Sequence, residues 1–214
     1  MADAARTAAL EVLRAVRSAD AYTNLALPAA LKKHGLSGRD AAFATELTSG
    51  TVRRQGLYDA VLAACIDRPL AKVQARVLDA LRLGTHQLLA MRVPAHAAIS
   101  TTVALVRSDV GPGAAGFANA VLRRVSEHDE AAWVARVAPA RADDPVGYLS
   151  VAHAHPRWVV EALAEAVGEV EVEALLVADN EAPGVTLVAR PGRSTREELP
   201  GQTTRWSPTT RHPA

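Results

Sequence analysis

The chain holds a single cysteine, Cys65, in 214 residues, so no internal disulfide can form and a reducing cytoplasm is the expected setting. Aromatic residues are scarce, at 4%. Much of the 49% hydrophobic content is alanine instead, which favours helices that pack closely together. No uncharged apolar run approaches the ~18 residues a membrane-crossing helix needs. The start, Met1-Ala2-Asp3, lacks the basic and then apolar stretch of a secretory signal. Strands are nearly missing too: Val185 to Arg190 is the one good candidate, and no partner for it is visible. These absences leave a soluble cytosolic helical protein, long enough for one full domain and part of a second.

What is present is a charge asymmetry. Residues 1–128 carry 16 Lys+Arg against 10 Asp+Glu, a balance of +6, and residues 129–214 carry 8 against 13, a balance of −5. The first part suits a polyanion and the second does not.

Apolar residues recur at helical spacing along the first part. Helices are expected over Asp3 to Ser18 and over Asn24 to Lys33, the latter closing at Gly35 and carrying Pro28 near its first turn or at a kink. Ser37 with Asp40 resembles a capping arrangement for a long helix through Phe43, Leu47 and Thr51. Gly50 inside that helix costs about 1 kcal/mol against alanine, so it is expected to admit a close neighbour. Gln55-Gly56 marks a break before a helix from Leu57 to Cys65. Pro69 opens the next helix, to Met91; Pro94 opens another with Ile99, Val103 and Val106 on one face; the last runs from Gly116 to Val125. Seven helical segments with short connections describe an all-α bundle. Residues 129–147 read as a linker with a short helix near Trp133. Pro156 to Val167 and Val172 to Ala178 form further helices, and Ser194 with Glu197 signals a helix start that fades.

Three motifs invite chemistry. Gly111-Pro112-Gly113-Ala114-Ala115-Gly116 satisfies the dinucleotide signature, which works when a strand feeds the glycine turn. The preceding segment reads as a helix, so a connection between helices is expected. His153-x-His155 lacks a second ligand pair at metal-site spacing and reads as a polar loop. Cys65, between Ala64 and Ile66, reads as a packed thiol. No catalytic residue and no metal ligand is assigned.

The arginines are more informative. Arg6, Arg14 and Arg17 fall within an arc of about 80° on the first helix, interrupted by Leu10. Arg53-Arg54 and Arg123-Arg124 form two pairs, and Lys32-Lys33 and Arg39 surround the second loop. A guanidinium offers phosphate two parallel hydrogen bonds from one planar fork. RNA contact through Arg6, Arg14, Arg17, Arg53, Arg54, Arg123 and Arg124 is the expectation, against a reading as solvated faces with scattered ion pairs.

Certain stretches resemble a known family. Ala5-Arg6-Thr7-Ala8-Ala9-Leu10, Phe43 to Leu47 with Gly50-Thr51-Val52-Arg53-Arg54, Leu81 to Leu89, Val93-Pro94-Ala95-His96-Ala97-Ala98 and Gly116 to Arg124 are similar, in order, to the NusB-like domain across about residues 3–127. Pro94-Ala95-His96-Ala97-Ala98 and Asn119 to Arg124 in particular resemble the amino-terminal part of 16S rRNA cytosine-C5 methyltransferases of the RsmB (Fmu/Sun) family. His155-Pro156-Arg157-Trp158 and Asp179 to Pro183 resemble the segment joining that domain to the catalytic part.

The resemblance implies two packed helical subdomains over residues 1–128 with RNA near an arginine-rich amino terminus. It implies a linker at 129–147 and an incomplete α/β start of a methyltransferase region at 148–214. It implies S-adenosylmethionine and two cysteines only for a catalytic domain beyond the chain, so truncation and no catalysis are expected here. Expected partners are small-subunit rRNA and a tethered methyltransferase domain. A transcription antitermination factor and a helical module that binds only protein are the alternatives.

Overall fold

The computed structural model describes residues 3–181, 186–203 and 210–212. By contacts the chain divides into Met1–Asn180 and Glu181–Ala214. The first unit holds eleven α-helices among the described residues: α1 Ala4–Ala19, α2 Thr23–Lys33, α3 Gly38–Arg53, α4 Gln55–Cys65, α5 Ala75–Leu89, α6 Ala95–Asp109, α7 Pro112–Val125, α8 Glu130–Val137, α9 Pro145–Ala152, α10 Arg157–Val167 and α11 Val172–Asn180.

Local chemistry sets most boundaries. Asp3 caps α1 by accepting from the Arg6 amide at 2.8 Å. Asp129 and Asp144 cap α8 and α9 in the same way. Pro28 lies inside α2, so the exposed Asn24 carbonyl loses its helical donor to solvent. Ser37 occupies the cap position of α3, but its hydroxyl makes no cap bond. The break after α3 falls at Arg54, one residue before the expected Gln55-Gly56. After Pro69 comes a single 3-10 turn, Leu70–Lys72, and the α-helix starts only at Ala75, because Val73 is extended. Helix α7 starts at Pro112 and not at Gly116: Gly111 takes φ +128, and proline at the first helical position forfeits no hydrogen bond.

The amphipathic faces meet in one main core. Leu47 of α3, Leu57, Tyr58 and Leu62 of α4, Leu81 and Leu83 of α5 and Leu122 of α7 are fully buried there. Each buried leucine contributes about 1.5–3 kcal/mol. Gly84 lets α5 approach α6 and α7, since a Cβ at residue 84 would lie 2.9 Å from Leu122 and 3.1 Å from Thr102. Helices α1 and α2 share a satellite core of Ala8, Val12, Leu27 and Ala30. Trp133 of α8 also joins the main core, its indole N–H donating to the Val125 carbonyl at 2.8 Å. Helices α9–α11 close over Leu149, Val160, Val172 and Leu176.

In the second unit, β1 Leu187–Val188, β2 Gln202–Thr203 and β3 Thr210–His212 form an antiparallel sheet in the order β1-β3-β2. The strand sought at Val185 to Arg190 is therefore shorter, and it does have a partner: Leu187 pairs with Arg211 and Val188 with Thr210. Val185 itself lies outside the described residues. Thr-Arg-His carries no apolar alternation that would announce a strand. The helix start sought at Ser194 and Glu197 is one residue later, where Thr195 and Glu198 form a capping box around a single turn.

Candidate nucleic-acid interface

The arginines of α1 face inward more than the arc suggests. Arg6 is buried; its Nε donates to Gln87 Oε1 at 2.7 Å, its Nη1 to Asp3 at 3.1 Å, and its guanidinium sits 4.8 Å from the centre of the Phe43 ring. Arg14 grips Asp109 with two bonds of 2.9 and 2.5 Å. Arg17 Nε donates to both oxygens of buried Asp79, at 3.1 and 2.8 Å. Asp79 also has Arg82 at 3.6 Å, and Arg82 holds Asp59 at 2.7 and 2.8 Å. The carboxylates lie 62 and 95 positions away from their arginines, so no local pattern could reveal the pairing.

The two arginine pairs are each divided by helical geometry, since adjacent residues point about 100° apart. Arg54 Nη1 donates to Glu130 of α8. Arg124 Nη1 donates to the Cys65 carbonyl at 2.9 Å and approaches Asp67 at 3.5 Å. Arg53 and Arg123 have no hydrogen-bond or ion-pair partner among the described residues, and the same holds for exposed Lys32, Arg39 and Arg107, whereas Lys33 pairs with Glu11 at 2.6 Å.

Arg107 and Arg123 border one groove of about 550 Å³ between α6 and α7. His96, Ile99, Ser100, Val103, Ala104 and Arg107 recur at three- and four-residue steps on α6 and share a face. Asn119, Arg123 and Ser126 complete the wall from α7 and its C-cap. No aspartate or glutamate lines the groove. Ile99, Val103 and Ala104 supply an apolar patch beneath the two cations. Arg107 escaped the reading of the sequence because it is a lone arginine, and His96 and Asn119 were only part of the resemblance. The signal that could have found them is the polar stripe 96, 100, 107, a spacing that puts three polar groups on one helical face.

The other motifs resolve without a ligand set. Gly111 to Gly116 follows helix α6, where a dinucleotide turn would follow a strand. His153 contacts Glu173 at 3.2 Å, and His155 Nδ1 donates to the His153 carbonyl at 2.7 Å. No group of three metal-ligating side chains gathers among the described residues. Burial pushes the Cys65 thiol up to about 11. His86 shares a 2.7 Å hydrogen bond with the Tyr58 hydroxyl, its Nε2 is buried without a partner, and burial, with Arg54 and Arg53 nearby, pulls the imidazole down to about 4. Among the described residues no helix is long and apolar enough to cross a membrane.

Comparison with known proteins follows these features. The NusB family model matches residues 3–127. A Mycobacterium tuberculosis protein named "Putative methyltransferase Rv1407" is 52% identical over 92% of this chain and 44% of its own length. The "Probable ribosomal RNA small subunit methyltransferase B" of Synechocystis is 32% identical over 91% of this chain and 43% of its own. The "Ribosomal RNA small subunit methyltransferase B" of Pseudomonas putida is 37% identical over 85% of this chain and 39% of its own. The chain thus spans under half the length of these relatives. Among solved structures, that of PH0851 has the same fold over 99% of this chain and 49% of its own, at TM-score 0.66 and 16% identity. A chain from the crystal structure of a plectonemic RNA supercoil matches over 58% of this chain and 92% of its own, at TM-score 0.55 and 20% identity.

Proposed function

This chain belongs to the NusB family, and from that membership we propose that it is the rRNA-docking module of a 16S rRNA cytosine-C5 methyltransferase, acting in the cytoplasm. It delivers a tethered catalytic domain to small-subunit rRNA and transfers no methyl group itself. The observation that carries this reading is the groove in which Arg107 and Arg123 stand with no carboxylate to neutralise them. Arg53, Arg107 and Arg123 supply contacts to RNA phosphates. Arg6, Arg14, Arg17, Arg54 and Arg124 are already engaged within the fold and hold the helices that present those contacts.

Relatives named as small-subunit rRNA methyltransferases match well past residue 127, which favours this reading over a free-standing antitermination factor. The residues present do not fit a methyl donor. The sulfonium of S-adenosylmethionine is a cation, and a groove bordered by two unpaired arginines repels it. The lone thiol is buried and held protonated, unlike an attacking cysteine.

Fluorescence anisotropy with a labelled 16S rRNA fragment tests the docking role. Affinity is expected to fall steeply as salt rises, because phosphate contacts release counterions. Absence of binding at low salt overturns the reading. Labelled methyl donor mixed with chain and rRNA is expected to leave the RNA unlabelled; incorporation would refute the non-catalytic half.

A further inference from the structure

We propose that the α6–α7 groove holds one unstacked nucleotide of single-stranded RNA, with its flanking phosphates on Arg107 and Arg123, its base face on Ile99, Val103 and Ala104, and its base edge at Asn119. This deepens the docking role above and rests on it.

Three observations carry the proposal. First, both arginines are exposed and lack partners among the described residues, so neither must break an ion pair to meet a phosphate. Second, the apolar patch sits inside the groove and not on the outer rim. A phosphate alone gains nothing from Ile99 and Val103, both half-buried and packed on the main core. The flat face of a base gains from contact with them. Third, Asn119 is half-buried, lines the groove and makes no hydrogen bond among the described residues, which leaves an amide with donor and acceptor free to meet a base edge.

The volume agrees. At about 550 Å³ the groove falls in the roughly 300–1,000 Å³ range of small-ligand sites. Duplex RNA does not fit this arrangement, because its bases are stacked inside the helix and its outer surface is sugar and phosphate. Only a base turned out of a stack, in a loop or single strand, reaches the floor.

The experiment uses the whole chain with two labelled probes, a single-stranded RNA of mixed sequence and the same RNA annealed into a duplex. Arg107→Gln with Arg123→Gln is expected to weaken single-strand binding by about tenfold and to flatten its salt dependence by about 1.4, the share of two phosphate contacts. Ala104→Phe fills the groove and leaves both charges in place; residue 104 is exposed, so the fold tolerates it. It is expected to weaken single-strand binding and to leave duplex binding unchanged, and Asn119→Ala should act in the same direction. Circular dichroism melts confirm that each variant is folded. If wild-type chain binds single strands and Ala104→Phe and the arginine pair bind them equally well, the groove assignment is overturned while the docking role stands. If wild-type chain binds neither probe at low salt, the docking role fails and the assignment falls with it.

Discussion

The His86 ring fills the space that the missing side chain of Gly50 leaves on α3: a Cβ at residue 50 would lie 2.3 Å from both Cε1 and Nε2 of the imidazole. Helix α5 comes this near to α3 only because residue 50 stops at its Cα. Alanine there is expected to lower stability by roughly 1–3 kcal/mol through overpacking, against a gain of about 1 kcal/mol in helix propensity. The net loss appears as a lower melting temperature. In a His86→Ala background the same change is expected to be neutral or stabilising, and a four-variant thermal cycle measures the coupling. Equal costs in both backgrounds would sink the explanation.

His86 also makes stability depend on pH. Burial comes first among the causes that pull its pKa from the usual 6.5 to about 4, with the positive charges of Arg54 and then Arg53 adding to it. Glu46, at 3.8 Å, opposes them. The unfolded chain therefore binds more protons between those two values, so stability rises with pH across that window. Acidification from pH 6.5 to 4 is expected to remove about 3 kcal/mol through this one group. Urea titrations at several pH values check this, with His86→Gln as the reference that should lack most of the slope.

Arg17→Ala separates bracing from binding. Asp79 is 2% exposed at its side chain, and losing Arg17 leaves it only Arg82 at 3.6 Å. The expected cost is about 1–3 kcal/mol, below the roughly 3–5 kcal/mol of a buried charge left fully unpaired. Adding Asp79→Asn should restore part of the loss. RNA affinity, compared where both proteins are folded, is expected to change less than twofold. A tenfold drop in affinity would return Arg17 to the RNA contact surface.

Cys65 should be a slow thiol. With its pKa pushed up to about 11 by burial, only about one molecule in a thousand carries the thiolate at pH 8. Alkylation is expected to run far slower in the native chain than in denatured chain, where the thiol regains its ordinary acidity. Similar rates in the two states would contradict the buried environment.

Much of the architecture was legible in the residues because helices are written locally. The periodic leucines and valines, the proline starts and the Asp3 cap each act within one or two turns, so α1, α6, α7 and α10 could be located before any fold was known. Boundaries failed where the deciding atoms are backbone. Val73 is extended in spite of its apolar register, and the glycine run after Val110 is mostly helix. The partner of Leu187 was hidden because pairing with Arg211 is a long-range event in a stretch without strand composition.

By itself the sequence determined which segments are helical, where charge concentrates, and that a lone buried-type cysteine offers no disulfide. It also determined the family resemblance, which covers the same residues that the family model matches. Only the tertiary structure decided which arginines are free. Arg14 and Arg123 look alike in a string of letters, yet one meets Asp109 from a distant helix and the other meets solvent in an acid-free groove. The reason is physical: helical character follows from neighbours along the chain, whereas the availability of a charge depends on what folding brings within about 4 Å of it.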